Sequence, residues 1–189
     1  MPLQSGEHAA TVLEEAVAAG MPGAMIGTQP EGGQGNLDAQ HLDPFWAKAA
    51  ELKVPVIVHP MFGSGDARLH DVQMMNAVGR VTDLTIAIAR LLFSGHLLRF
   101  PELVLVASTG GGALPFALGR LMRNRDAFPE LVADPYEGFS KLYFDSLVFE
   151  PETLKFLVEK VGAERIMLGS DYPFPIGDPE PTKVIESCE

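Results

Sequence analysis

The chain has 189 residues, of which 47% are hydrophobic and 21% charged, enough apolar mass for a single domain, residues 1–189, with a substantial core. Its formal net charge of −11 repels phosphate backbones and argues against nucleic-acid partners. No run approaches the ~20 uninterrupted apolar residues of a membrane span.

Residues 1–20 carry Glu7, Glu14 and Glu15 and no Lys or Arg, the wrong chemistry for a signal peptide. The lone cysteine, Cys188, cannot form an internal disulfide, so a reduced, cytoplasmic setting is expected.

In chain order, His8 to Ala19 reads as an amphipathic helix with Val12, Leu13, Ala16 and Val17 on one face, stopped by Gly20 and Pro22. Ala24 to Thr28 reads as a buried strand, followed by a glycine-rich loop from Gly32 to Gly35. A helix is expected over Leu42–Leu52, then a strand over Val54–Val58 that ends at His59. Two helical segments follow, near Val72–Val78 and Asp83–Leu98, before a third strand at Leu103–Ala107. The remaining elements are a helix over Ala113–Arg123, a strand over Leu142–Asp145, a helix over Glu152–Val161 and a fifth strand over Arg165–Leu168.

Strands that are apolar throughout and alternate with helices imply a parallel sheet covered by helices, either doubly wound or closed into a barrel. In both arrangements ligands bind beyond the carboxyl ends of the strands. Five polar stations stand there: Thr28 and Gln29, His59, Ser108 and Thr109, Asp145 and Ser146, and Ser170 and Asp171. One such station would be a chain merely leaving the core; five, with a His and an Asp among them, form a candidate site.

Asp171 directly follows a buried strand, where a carboxylate holds a divalent cation, takes a proton from metal-bound water, or caps a turn. His59 is placed to bind metal, donate to a substrate oxygen or move a proton. A lone strand-end histidine is more often structural. His8, His41, His70 and His96 read as surface or helix residues without a role. Ser108–Thr109–Gly110–Gly111–Gly112 opens a helix in the manner of an anion-binding turn, although no Lys follows, and a plain strand-to-helix turn is the simpler reading. No serine has a GxSxG setting.

Phe100–Pro101–Glu102–Leu103, running into Gly110–Gly111–Gly112–Ala113–Leu114–Pro115–Phe116 and Gly119–Arg120, resembles an FP-x-L…HGGGALP…GR block. Arg165 to Pro175 resembles R-x-M-x-GSD-x-PF; Leu42–Asp43–Pro44–Phe45, Val58–His59–Pro60 and Thr85 to Arg90 match as well. These segments resemble the amidohydrolase-related family that contains aminocarboxymuconate semialdehyde decarboxylase and γ-resorcylate decarboxylase, from about Met1 to Asp178.

The resemblance implies a TIM-barrel-like (β/α) metal-dependent hydrolase fold, incomplete at both ends. It also implies one divalent metal, usually zinc, and carboxy-lyase or hydrolase chemistry on aromatic or dienoic carboxylic acids. Asp171 then matches the family's metal-binding aspartate and a catalytic position, and His59 a catalytic or substrate-binding histidine beside the pocket. Thr28, Thr109 and Ser146 are further substrate-binding candidates.

The departures carry as much information. The family's H-x-H or E-x-H pair on its first strand has no counterpart in this sequence. Thr109 stands where the family has a histidine ligand, Phe149 where it has a proton-transfer histidine, and the GN-x-x-x-L signature does not follow. Zinc takes three or four protein ligands, more than remain, so loss of the standard ligands by divergence or truncation is expected. Open sheet edges point to a homo-oligomer or a partner chain that completes the barrel. The alternative is a binding or assembly module that uses the remnant pocket for a small carboxylic acid without turnover.

Overall fold

In the computed structural model, which describes residues 1–188, five strands form one fully parallel sheet in the order β1-β2-β3-β4-β5. They are β1 (Ala24–Gly27), β2 (Pro55–His59), β3 (Val104–Ala107), β4 (Tyr143–Asp145) and β5 (Ile166–Met167). The principal helices are α1 (Gly6–Ala18), α2 (Asp43–Leu52), α3 (Arg80–Phe93), α4 (His96–Arg99), α5 (Leu114–Ala127), α6 (Pro135–Phe139), α7 (Pro151–Val161) and α8 (Thr182–Glu186). Among the described residues no strand pairs with the outer edge of β1 or of β5, so the sheet is open. No helix there is long and apolar enough to cross a membrane.

The expected α/β order holds, with boundaries shifted by a few residues. The helix begins at Gly6 because the Ser5 side chain accepts the His8 N–H at 3.2 Å and supplies its N-cap. The single helix expected over Asp83–Leu98 is two: Gly95, at φ 71°, turns the chain between α3 and α4. The segment expected at Val72–Val78 is a π-helical turn, Met75–Gly79, that runs directly into α3. The short helices α6 and α8 carry no periodic signal long enough to announce them.

The register separates two faces. Ile26, Val58, Ala107 and Phe144 align across neighbouring strands and join the helix-packed core. That core includes Phe45 and Trp46 of α2, Leu13 of α1, and the Leu84, Ala87, Ile88 and Leu91 stripe of α3, all on one side of their helices. On the opposite face Met25, Ile57 and Val106 align, and Met167 aligns with Asp145. Met25 remains 56% exposed and Met167 40%, so this face is apolar and largely uncovered. At its carboxyl end it leads to His59 and Asp145.

Candidate functional site

His59 and Asp171 lie 112 residues apart in the chain, and their side chains meet: His59 Nε2 is 2.9 Å from Asp171 Oδ1. A carboxylate only accepts, so Nε2 carries the hydrogen and donates it. Both side chains are more than four-fifths buried. The Phe174 ring lies nearly parallel to the imidazole, 5.9 Å between centroids. His59 Nδ1 is buried and has no hydrogen-bond partner, so one acceptor of a positioned imidazole is left open.

The pair forms the wall between two cavities. One, of about 320 Å³, is bounded by Arg80, Thr109, Phe149 and Phe174 together with the pair itself. The other, of about 340 Å³, opens on the uncovered sheet face beside Met25, Ile57 and Met167. Three non-glycine residues on the first cavity's wall sit in left-handed backbone: Thr109 at φ 51°, Phe149 at φ 63° and Asp171 at φ 55°. A β-branched and a bulky aromatic residue are poorly suited to that region, and such strain collects where a site needs it.

Asp145, at the end of β4, turns inward. Its Oδ1 accepts the Gly110 N–H at 2.8 Å and the Leu147 N–H at 3.3 Å. The glycine turn therefore holds an internal carboxylate, which settles it as a strand-to-helix connection. Burial pushes the Asp145 carboxyl above its ordinary range, opposed by the Gly110 N–H and reinforced by the nearby Asp171 charge. Gly169 is fitted against it: a Cβ there would lie 2.8 Å from the Asp145 Cβ.

The remaining expected residues divide by what already holds them. Thr109 lines the cavity. The Thr28 hydroxyl donates to Asp83, and Gln29 Nε2 donates to the other Asp83 oxygen at 2.9 Å. Thr28 and Asp83 are both buried, so this cluster ties the loop after β1 to α3. Ser146 is buried and accepts the Gly169 N–H at 3.3 Å. Sequence reasoning did not single out Asp83, Arg80 or Phe174. An acidic residue between the apolar positions of α3 was the available signal for the first, and the place of Phe174 in the GSD-x-PF block for the third; Arg80 had none.

His96 lies in helix α4, as the helix reading of it expected, and it is buried, at 2% exposure. Arg99 donates to its Nε2 at 3.0 Å, its Nδ1–H donates to Ser94 Oγ at 2.7 Å, and Trp46 meets it edge-on.

A family model described as amidohydrolase matches residues 1–187. The chain belongs to the amidohydrolase family. It is 35% identical over 195 residues to 2-amino-3-carboxymuconate-6-semialdehyde decarboxylase of Dictyostelium discoideum, covering 100% of this chain and 54% of that protein. It is 28% identical over 194 residues to gamma-resorcylate decarboxylase of Polaromonas sp. strain JS666, covering 92% of this chain and 58% of the relative. The crystal structure of a dihydroxybenzoic acid decarboxylase from Polaromonas sp. JS666, with bound manganese and the inhibitor 2-nitroresorcinol, superposes at a TM-score of 0.87 with 25% identity, over 100% of this chain and 61% of that one. The chain spans little more than half the length of these relatives. The open sheet is thus a portion of a TIM-barrel-like decarboxylase fold.

That amidohydrolase relative holds a divalent metal, manganese, where the sequence reading named zinc. The described residues of this chain do not make a complete site for either ion. No three of His, Cys, Asp and Glu gather around a common point among them. Asp171 Oδ1 is engaged by His59, Asp145 is turned to the backbone of the glycine turn, and Thr109 offers a hydroxyl. These fall short of the three or four protein donors of a zinc site.

Proposed function

We propose that this amidohydrolase-family chain binds a small aromatic or dienoic carboxylic acid in the cavity between His59, Thr109 and Asp171. We also propose that it is a diverged member whose described residues do not by themselves carry metal-dependent decarboxylation. The observation that carries the reading is the His59–Asp171 pair itself: a buried carboxylate and imidazole locked to each other at 2.9 Å in the wall of a largely apolar cavity. The pairing engages Asp171 with a neighbour in the fold. By the motif resemblance Thr109 and Phe149 stand at positions of family histidines, and neither side chain supplies a nitrogen ligand or carries a proton. What remains is a pocket of the size that takes a single-ring ligand.

Within this reading His59 orients the ligand. Asp171 fixes the ring through Nε2, and the imidazole presents a positioned edge to the ligand. Phe174 and Phe149 supply apolar contact and keep water from the ring.

A second reading is favoured by the position of Asp171 directly after Gly169–Ser170. In it, donors from beyond these residues complete a divalent-metal site and restore decarboxylase or hydrolase activity. Metal analysis of the purified protein separates the two. The first reading expects well under one equivalent of zinc or manganese, ligand-induced thermal stabilisation by aromatic acids, and no carbon dioxide release. Stoichiometric metal together with carbon dioxide release would establish the second and discard the first.

A further inference from the structure

The cavity beside His59 contains one cation whose partner is missing. Arg80 opens α3, half-buried, and its Nε is buried with no hydrogen-bond partner. Among the described residues its guanidinium makes no ion pair. Other arginines of the chain behave differently. Arg68, Arg90 and Arg99 each pair with an aspartate, and Arg120 and Arg123 stand exposed in water. Arg80 is thus neither neutralised nor hydrated at Nε, in a protein of net charge −11 that has acidic groups to offer.

A part-buried guanidinium without a counter-charge is costly, and an anion arriving at its terminal nitrogens offsets that cost. The local backbone explains the placement. The π-helical turn Met75–Gly79 feeds directly into α3, so Asn76 and Arg80, four residues apart, reach the same wall of the cavity. Of the residues bounding that cavity, only Arg80 and Asp171 carry full charges, and Asp171 is engaged by His59.

We infer that Arg80 is the carboxylate anchor of this pocket. The two terminal nitrogens, which are not among the buried unpartnered atoms, form the end of a guanidinium that matches the two oxygens of a carboxylate. The acid group of the ligand docks there, and its ring lies between the apolar walls of Val81, Val148 and Phe149. The inference rests on the pocket reading given above and adds the residue that selects an acid over its neutral analogue.

The test compares 2,6-dihydroxybenzoate with resorcinol, the same ring without the carboxylate, by isothermal titration calorimetry in EDTA, so that no metal contributes. The wild-type chain is expected to bind the acid about tenfold or more tightly than resorcinol, the scale of a charge-assisted bidentate contact. In Arg80→Met the affinity ratio falls towards one, and in Arg80→Lys, which keeps the charge without the fork, it falls to an intermediate value. Circular dichroism confirms that each variant is folded; the lysine variant alone decides the matter if the methionine variant is not. A preference for the acid that survives both substitutions overturns the anchor assignment and leaves the pocket reading standing. Wild-type protein that binds neither compound overturns the pocket reading, and the anchor with it.

Discussion

Two histidines of this chain stand near aspartates, and they differ in what their ring nitrogens have left to do. His96 packs beneath the helices with Nδ1 bound to Ser94 and Nε2 to Arg99, which reaches on to Asp43 at 2.6 Å. His59 ends a strand, with Nε2 given to Asp171 and Nδ1 open. The first imidazole completes a closed network and stabilises the fold. The second is held firmly by one side, and its other nitrogen is buried without a partner. On the reading proposed above, satisfaction of both nitrogens, more than burial, tells the structural histidine from the site histidine.

The comparison breaks most sharply under substitution. His96→Ala removes a buried ring and strands Ser94 and Arg99, so chemical denaturation should register a loss of about 3 kcal/mol. His59→Gln should cost about 1 kcal/mol or less in the same measurement while weakening 2,6-dihydroxybenzoate binding roughly fivefold in a titration. Equal stability losses at the two positions would erase the distinction. Phe149 sharpens it from the site's side. Its ring is half exposed and its backbone left-handed, so Phe149→Asn should raise stability by about 0.5 kcal/mol, because asparagine accepts that conformation more readily.

The smallest effects are slopes against pH, and they run in opposite directions. Burial, with the Arg99 charge, holds the His96 imidazole below its ordinary value of 6.5. The fold therefore takes up fewer protons than the unfolded chain, and the contribution of His96 is present above pH 6.5 and lost as pH falls through the lowered value. Asp145 is raised above its ordinary 3.8. Its contribution is complete below pH 3.8 and lost as pH rises through the raised value. Stability curves of His96→Gln and Asp145→Asn should each lack their own slope; a slope unchanged in either variant contradicts the corresponding assignment.

Much of the fold was legible because apolar runs followed by polar strand ends leave a local record. Val56 and Val58 alternate with Ile57 and His59 in a few consecutive letters, and the strand boundaries follow to within a residue or two. The site was legible as a ring of stations and no further. The contact of His59 with Asp171 depends on where β2 and the loop after β5 come to rest, which no local pattern encodes. Thr28 and Ser146 looked like ligand contacts because strand-end hydroxyls look alike until their partners, Asp83 and the Gly169 N–H, are seen. His96 was read as a helix residue, but its burial was not legible, because a four-residue helix following Gly95 is too short to show which side faces Trp46. Arg80 reads as an ordinary first-turn residue of an amphipathic helix; only the empty surroundings of its Nε set it apart.

The close fit of Gly169 against Asp145 constrains how this sequence can drift. With 2.8 Å between the Asp145 Cβ and the place where a Cβ at 169 would go, any larger residue at 169 forces Asp145 or the backbone around it to shift. Replacing Asp145 with glycine would in turn orphan the N–H of Gly110. Position 169 is therefore held to glycine by a side chain 24 residues earlier, and that side chain is held by the Gly110 N–H.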